Sequence, residues 1–240
     1  MWKSLLASLF LATATLAQEN PSAYEALRVV GTQLNREMMS RIISVTGVDG
    51  NPQPGTWKIL VGDRRASGGV REITVEDNRI ASQRTPNRSV VGSTEGNTIN
   101  TARLNLDSTG AYSVASHTAE TSHVTFALVS YALRTDDRGN PTWIVTLEDR
   151  SRKPLGTIHI KANDGRITRV EGMYQGRNME QVEDDREHVD NRDVDPGDDP
   201  EDNVVKKNIK RLFRKTKEDA SRIFNKVRRS FADFIAPREN

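Results

Sequence analysis

The sequence predicts an α+β protein: two tandem repeats, each a helix plus a three-stranded antiparallel sheet, then a disordered acidic linker and a long C-terminal amphipathic helix. Three observations carry this prediction. One stretch occurs twice, the charge reverses abruptly near residue 204, and the apolar residues beyond that point fall at helical spacing. The repeat comes first. Trp57-Lys-Ile-Leu-Val-Gly-Asp63, Gly69-Val-Arg-Glu-Ile-Thr-Val75 and Asn78-Arg-Ile80 return as Trp143-Ile-Val-Thr-Leu-Glu-Asp149, Gly156-Thr-Ile-His-Ile160 and Gly165-Arg-Ile167. From Trp to the closing Ile the copies differ by one residue, the mark of an internal duplication.

In each copy the Trp opens an apolar run and a second run alternates, as half-buried antiparallel strands do. The expected core positions are Trp57, Ile59, Ile73 and Val75 in the first copy and Trp143, Val145, Ile158 and Ile160 in the second. Asp77-Asn78 and Asn163-Asp164-Gly165 tolerate the left-handed backbone of tight turns. A hairpin alone cannot cover one of its own faces, so a helix is expected upstream of each. Before copy one, Pro21 to Met39 carries Tyr24, Leu27, Val30, Leu34 and Met38 at steps of three and four. Ile42 to Val45 then reads as a strand. Before copy two, Ser108 to about Thr121 is helical in pattern, with Ala111, Ala115 and Ala119 four apart, and Val124 to Arg134 reads as a strand. Each unit is helix, strand, strand, strand.

That unit, with a Trp beginning the middle strand and an Arg-Ile turn closing the last, resembles the PepSY and PepSY-like modules of bacterial envelope proteins; tandem copies are similar in plan to the β-lactamase-inhibitor-protein fold. The resemblance covers roughly residues 21 to 83 and 107 to 170. It implies a helix laid across a small antiparallel sheet and a role in binding or restraining partner proteins of the envelope, with no shared catalytic residues.

Residues 1–17 have a Lys near the start, an apolar centre and a small-residue end, which reads as a secretory signal peptide. The expected product is exported, periplasmic or extracellular. Cysteine is absent, which excludes disulfides and lipidation at a cysteine. Repeat 1 is expected over 18–83, a Ser-, Thr- and Asn-rich surface linker over 84–106, and repeat 2 over 107–179. Residues 180–203 carry a net charge of −10 with hardly any apolar side chain and are expected to be a disordered linker.

From Val204 the net charge to the C-terminus is +8. The predicted helix over 204–236 aligns Ile209, Leu212, Ile223, Val227, Phe231 and Phe234 on one stripe, widened by Phe213, Phe224 and Ile235, with Lys210, Arg214, Arg228 and Arg229 among its cations. A basic amphipathic helix of this kind suits an anionic membrane surface or a protein partner. Docking on the protein's own body uses the same stripe. Nucleic acid leaves the apolar stripe without a role and is not expected as a partner.

Catalysis needs convergent groups, and no local motif supplies them. His117, His123, His159 and His188 show no metal-ligand spacing, and there is no nucleophile elbow, phosphate-binding Gly-rich loop or dinucleotide fingerprint. The expected function is therefore non-enzymatic, without catalytic residues, metal or cofactor: a binding or inhibitory-type module for an envelope protein, with the tail for attachment. Two alternatives accompany it: a peripheral membrane adaptor in which the tail is the main element, and an enzyme lacking any local motif.

Overall fold

The computed structural model describes residues 20–86, 98–173, 214–215 and 218–236. The expected signal peptide, the acidic linker and Ile209, Lys210, Leu212 and Phe213 lie outside the described residues.

Helix α1 (Ala23–Gln33) starts at a capping box: the Ser22 hydroxyl accepts from the Glu25 N–H while the Glu25 carboxylate accepts from the Ser22 N–H. It buries Tyr24, Leu27 and Val30 as the spacing predicts. It ends at Gln33, short of the predicted Met39, because Asn35 caps a separate 3-10 turn (Arg36–Arg41) through its side-chain oxygen. Strands β1 (Ile42–Gly50), β2 (Thr56–Gly62), β3 (Val70–Glu76) and β4 (Arg79–Arg84) follow. The second half repeats the pattern with α2 (Ser108–Thr121), β5 (Leu128–Thr135), β6 (Pro141–Glu148), β7 (Pro154–Lys161) and β8 (Ile167–Glu171).

The predicted pair of separate three-stranded units is overturned. All eight strands form one antiparallel sheet in the order β4-β3-β2-β1-β5-β6-β7-β8. The halves join through β1 and β5, with Val45 opposite Leu133, Thr46 opposite Ala132 and Gly47 opposite Tyr131. The physical reason is the cost of an unpaired edge: β1 and β5 would each present a row of free N–H and C=O groups, and pairing them satisfies both. The fourth strand of each half grows from what reads as a closing turn. Asp77 and Asn78 take the left-handed conformation and β4 continues past them to Arg84. Its side chains are all exposed apart from half-buried Ile80, so it carries no alternation for sequence reasoning to detect.

One face of the sheet is covered by α1 and α2. Trp57, Ile59, Ile73 and Val75, and Trp143, Val145, Ile158 and Ile160, are all fully buried there. The two tryptophans do equivalent jobs: the indole N–H of Trp57 donates to the Pro21 carbonyl and that of Trp143 to the Leu106 carbonyl, each at 2.8 Å. Each indole thus ties the middle strand of its half to the chain just before its helix. Ile99, Leu104 and Leu106, in the connection expected to be surface linker, are also buried.

The long C-terminal helix is likewise overturned. Residues 218–227 are helical (α3), 228–230 are not, and a short helix α4 (Phe231–Ile235) follows. The break has a tertiary cause: the Arg229 N–H donates to the Asn105 carbonyl at 2.9 Å and the Phe231 N–H to the Leu104 carbonyl at 2.8 Å. Those amides leave the helical ladder for acceptors on the body. The apolar stripe follows them inward. Ala220, Phe224 and Phe231 are buried, and Ile223, Val227, Phe234 and Ile235 pack against the core. Phe224 lies directly over Gly165, where the backbone is left-handed and any side chain would collide with the ring.

Two substitutions test this arrangement by thermal melting. Phe231→Ala is expected to cost about 3–5 kcal/mol, the usual range for truncating a buried aromatic, and to lower the melting temperature accordingly. Gly165→Ala is expected to destabilise through both the left-handed backbone and the loss of the Phe224 seat. Unchanged melts for both would show that the tail does not dock.

Candidate functional site

Three features outside the hydrophobic core collect chemically capable groups: a buried polar hub between the helices, the sheet face turned away from them, and a groove beside the C-terminal segment.

The hub forms where the N-termini of α1 and α2 meet. Asp107 is the N-cap of α2 and accepts from the Ser108 N–H at 2.7 Å. The same oxygen accepts from the Tyr24 N–H in the first turn of α1 at 3.0 Å. One carboxylate therefore caps two helices, where both helix dipoles favour negative charge. Beside it the Ala23 N–H donates to the Ser108 hydroxyl, which donates to the Gln53 side-chain carbonyl at 2.7 Å. Burial pushes the Asp107 carboxyl above its ordinary range; the Ser22 hydroxyl, the Ser108 and Tyr24 N–H groups and the Arg229 charge pull the other way. Asp107 Oδ2, the Tyr24 hydroxyl and Gln53 Nε2 are buried and have no hydrogen-bond partner. Tyr24 and Tyr131 are both raised by burial and stay protonated at any physiological pH. The Ser108 hydroxyl also lies 3.4 Å from the Asp107 carboxylate, but both side chains are buried and the shorter bond of that hydroxyl is the one to Gln53. The hub is a fastening.

The second feature is the uncovered sheet face. In register, one row of side chains crosses all eight strands: Ser82, Thr74, Lys58, Thr46, Ala132, Ile144, His159 and Arg169. A neighbouring row carries Glu72, Leu60, Ser44, Arg134, Thr142 and Lys161. None of the described helices packs over these rows. At the β4 edge Arg84 pairs with Glu72 at 2.6 Å, and at the β8 edge Arg169 pairs with Glu171. Between the two edges Lys58 and Arg134 are exposed and Lys161 is buried, and none of the three makes an ion pair among the described residues. His159, on the strand face opposite Ile158 and Ile160, sits in this row 3.9 Å from Glu171. Burial lowers its pKa, Glu171 opposes that, and Arg169 and Arg134 reinforce it, which holds the imidazole below its ordinary range. No group of three potential metal ligands converges anywhere among the described residues.

The third feature is a groove of about 860 Å³ between the outer side of α1 and residues 228–236. Arg28 and Arg36 line it from one side and Arg228 and Arg229 from the other, with Leu27, Met39 and Phe234 among its apolar lining. Of the tail residues picked out in the sequence, Phe231 is buried against Tyr24, ring centroids 4.9 Å apart, and Phe234 receives the guanidinium groups of Arg229 and Arg28 at 4.0 and 4.9 Å. Arg214 and Arg228 are exposed. Sequence reasoning missed both the groove and the hub, since their residues lie far apart in the chain. The one legible signal was Asp107-Ser108 before an Ala-rich helical run, a helix-capping pattern.

Comparison with known protein families, with curated proteins and with solved structures found no match. No helix among the described residues is long and apolar enough to cross a membrane.

The hub yields a pH prediction with a definite sign. A carboxyl raised in the folded state favours the fold most below its unfolded value of 3.8, and that contribution is lost as pH rises through the folded pKa. Asp107→Asn keeps the shared acceptor oxygen and removes the charge. Its melting temperature is therefore expected to gain on the wild type between pH 4 and pH 8; a constant difference would mean that Asp107 does not titrate. Asp107→Ala leaves two helix N-termini uncapped in the interior and is expected to cost about 2–4 kcal/mol at either pH.

Proposed function

We propose that this chain is an exported, non-catalytic binding module that engages an acidic surface of an envelope protein through the uncovered face of its sheet. One observation carries the reading: a continuous face eight strands wide, free of any described helix, whose exposed cations Lys58 and Arg134 make no ion pair among the described residues. Around them Leu60, Ala132 and Ile144 are half-exposed. Cations spaced among small apolar contacts complement a partner that presents carboxylates around an apolar centre; such charge complementarity governs encounter and specificity. The resemblance of the repeats to PepSY-like modules, which bind or restrain partner proteins, supports the same reading. In this reading the tail is a strap. Its described apolar residues are occupied by the body, so its cations, and not those apolar residues, are what an anionic surface meets.

The strap cannot be deleted to test this, because Phe231 and Ala220 are part of the core. Point substitutions are used in its place. Wild type, Lys58→Glu/Arg134→Glu, and the control Arg138→Glu in an exposed turn are compared for capture of proteins from an envelope extract. All three are expected to melt alike. A partner retained by wild type and control, and bound at least about tenfold more weakly by the double variant, is the expected result. Equal capture by all three overturns the assignment of the face.

A further inference from the structure

The groove beside α1 concentrates positive charge that the carboxylates lining it only half balance. Four guanidinium groups line it, Arg28 and Arg36 from the N-terminal half and Arg228 and Arg229 from the strap, against two carboxylates, Glu25 and Asp233. Glu25 is already engaged in the capping box of α1. None of the four arginines makes a salt bridge among the described residues. Arg28 and Arg229 converge from separate elements on one ring, that of Phe234. A π face attracts each cation, but two like charges drawn to one ring repel, and an anion set between them turns that repulsion into attraction. Arginine is also the side chain best shaped to grip carboxylate or phosphate oxygens in pairs.

The apolar part of the lining gives the ligand its other half. Leu27 and Met39 are buried at the base of the groove, and Phe234 and Ile235 flank it. Its volume of about 860 Å³ lies within the range of small-molecule sites. We propose that this groove binds an amphipathic anion: a phosphate or carboxylate head held between Arg28 and Arg229, with an apolar chain lying along the half-buried Phe234 and Ile235 above the buried Leu27 and Met39. Such chemistry comes either as a free amphiphile or as the headgroup region of an anionic lipid. The site is on the helical side of the molecule, so it is independent of the sheet face assigned to a protein partner.

Titration calorimetry on the full chain with decyl phosphate, decanol and inorganic phosphate tests the need for both halves of the ligand. Saturable one-to-one binding of decyl phosphate is expected, with decanol and inorganic phosphate each weaker by about tenfold or more, roughly the worth of one charge-assisted hydrogen bond. Arg28→Gln/Arg36→Gln is expected to weaken decyl phosphate binding by at least about tenfold while melting as wild type does. This pair is chosen because Arg229 also acts on the buried Asp107 and its loss confuses binding with folding. Co-sedimentation with phosphatidylglycerol vesicles separates the sources. Binding that is lost in the double variant assigns the site to a membrane lipid, and decyl phosphate binding without vesicle binding assigns it to a free amphiphile. The proposal is overturned if inorganic phosphate binds as well as decyl phosphate, if the double variant binds unchanged, or if a peptide of sequence 180–203 outcompetes decyl phosphate.

Discussion

A single carboxylate holds the helical layer in place. Asp107 accepts from the first turns of both α1 and α2, and the neighbouring Ser108 hydroxyl accepts from Ala23, so the two helices are fixed head to head. The tryptophans transmit that position to the sheet, each through an indole N–H bonded to the residue just before a helix cap. Tyr24, whose backbone serves the hub, also packs its ring on Phe231. Hub, sheet and strap are thus one chain of contacts. Burying a charge at its centre is costly, and the helix N-termini, the hydroxyl of Ser22 and Arg229 offset part of that cost.

The elements with one-sided burial were legible in the sequence. The three- and four-residue steps of Tyr24, Leu27 and Val30, and the two-residue steps of Ile73 and Val75 or Ile158 and Ile160, report the side of each element that meets the core. Strand β4 was not legible, because an edge strand with both faces wet has no reason to alternate. Nor was the union of two sheets into one: β1 and β5 pair through backbone groups, which every residue carries, and nothing in Val45 or Leu133 names its partner.

The strap shows the complementary failure. Helical spacing over 204–236 is real, yet spacing says only which residues share a face. It cannot say that Asn105 and Leu104 hold out carbonyls to Arg229 and Phe231, and these decide where the helix breaks. The candidate surfaces were hidden for a similar reason. Lys58 and Arg134 are 76 residues apart in the chain yet lie on adjacent rows of one face, and the groove gathers arginines from opposite ends of the chain.

The seam between β1 and β5 has a further consequence. The offset between the two tryptophans, 86 residues, also carries Val45 to Tyr131, Thr46 to Ala132 and Gly47 to Leu133. It therefore exchanges the pair Val45–Leu133 with the pair Gly47–Tyr131 and leaves Thr46–Ala132 in place, so a pseudo-two-fold axis pierces the sheet between those last two residues. About this axis the covered face is nearly self-matching: Trp57 answers Trp143, Ile59 answers Val145, Ile73 answers Ile158 and Val75 answers Ile160. The open face is not. Lys58 answers Ile144, Thr74 answers His159, and Leu60 answers Thr146. Across the axis a cation on one arm faces an aliphatic chain on the other, so a backbone with the symmetry of a dimer carries an open face that lacks it.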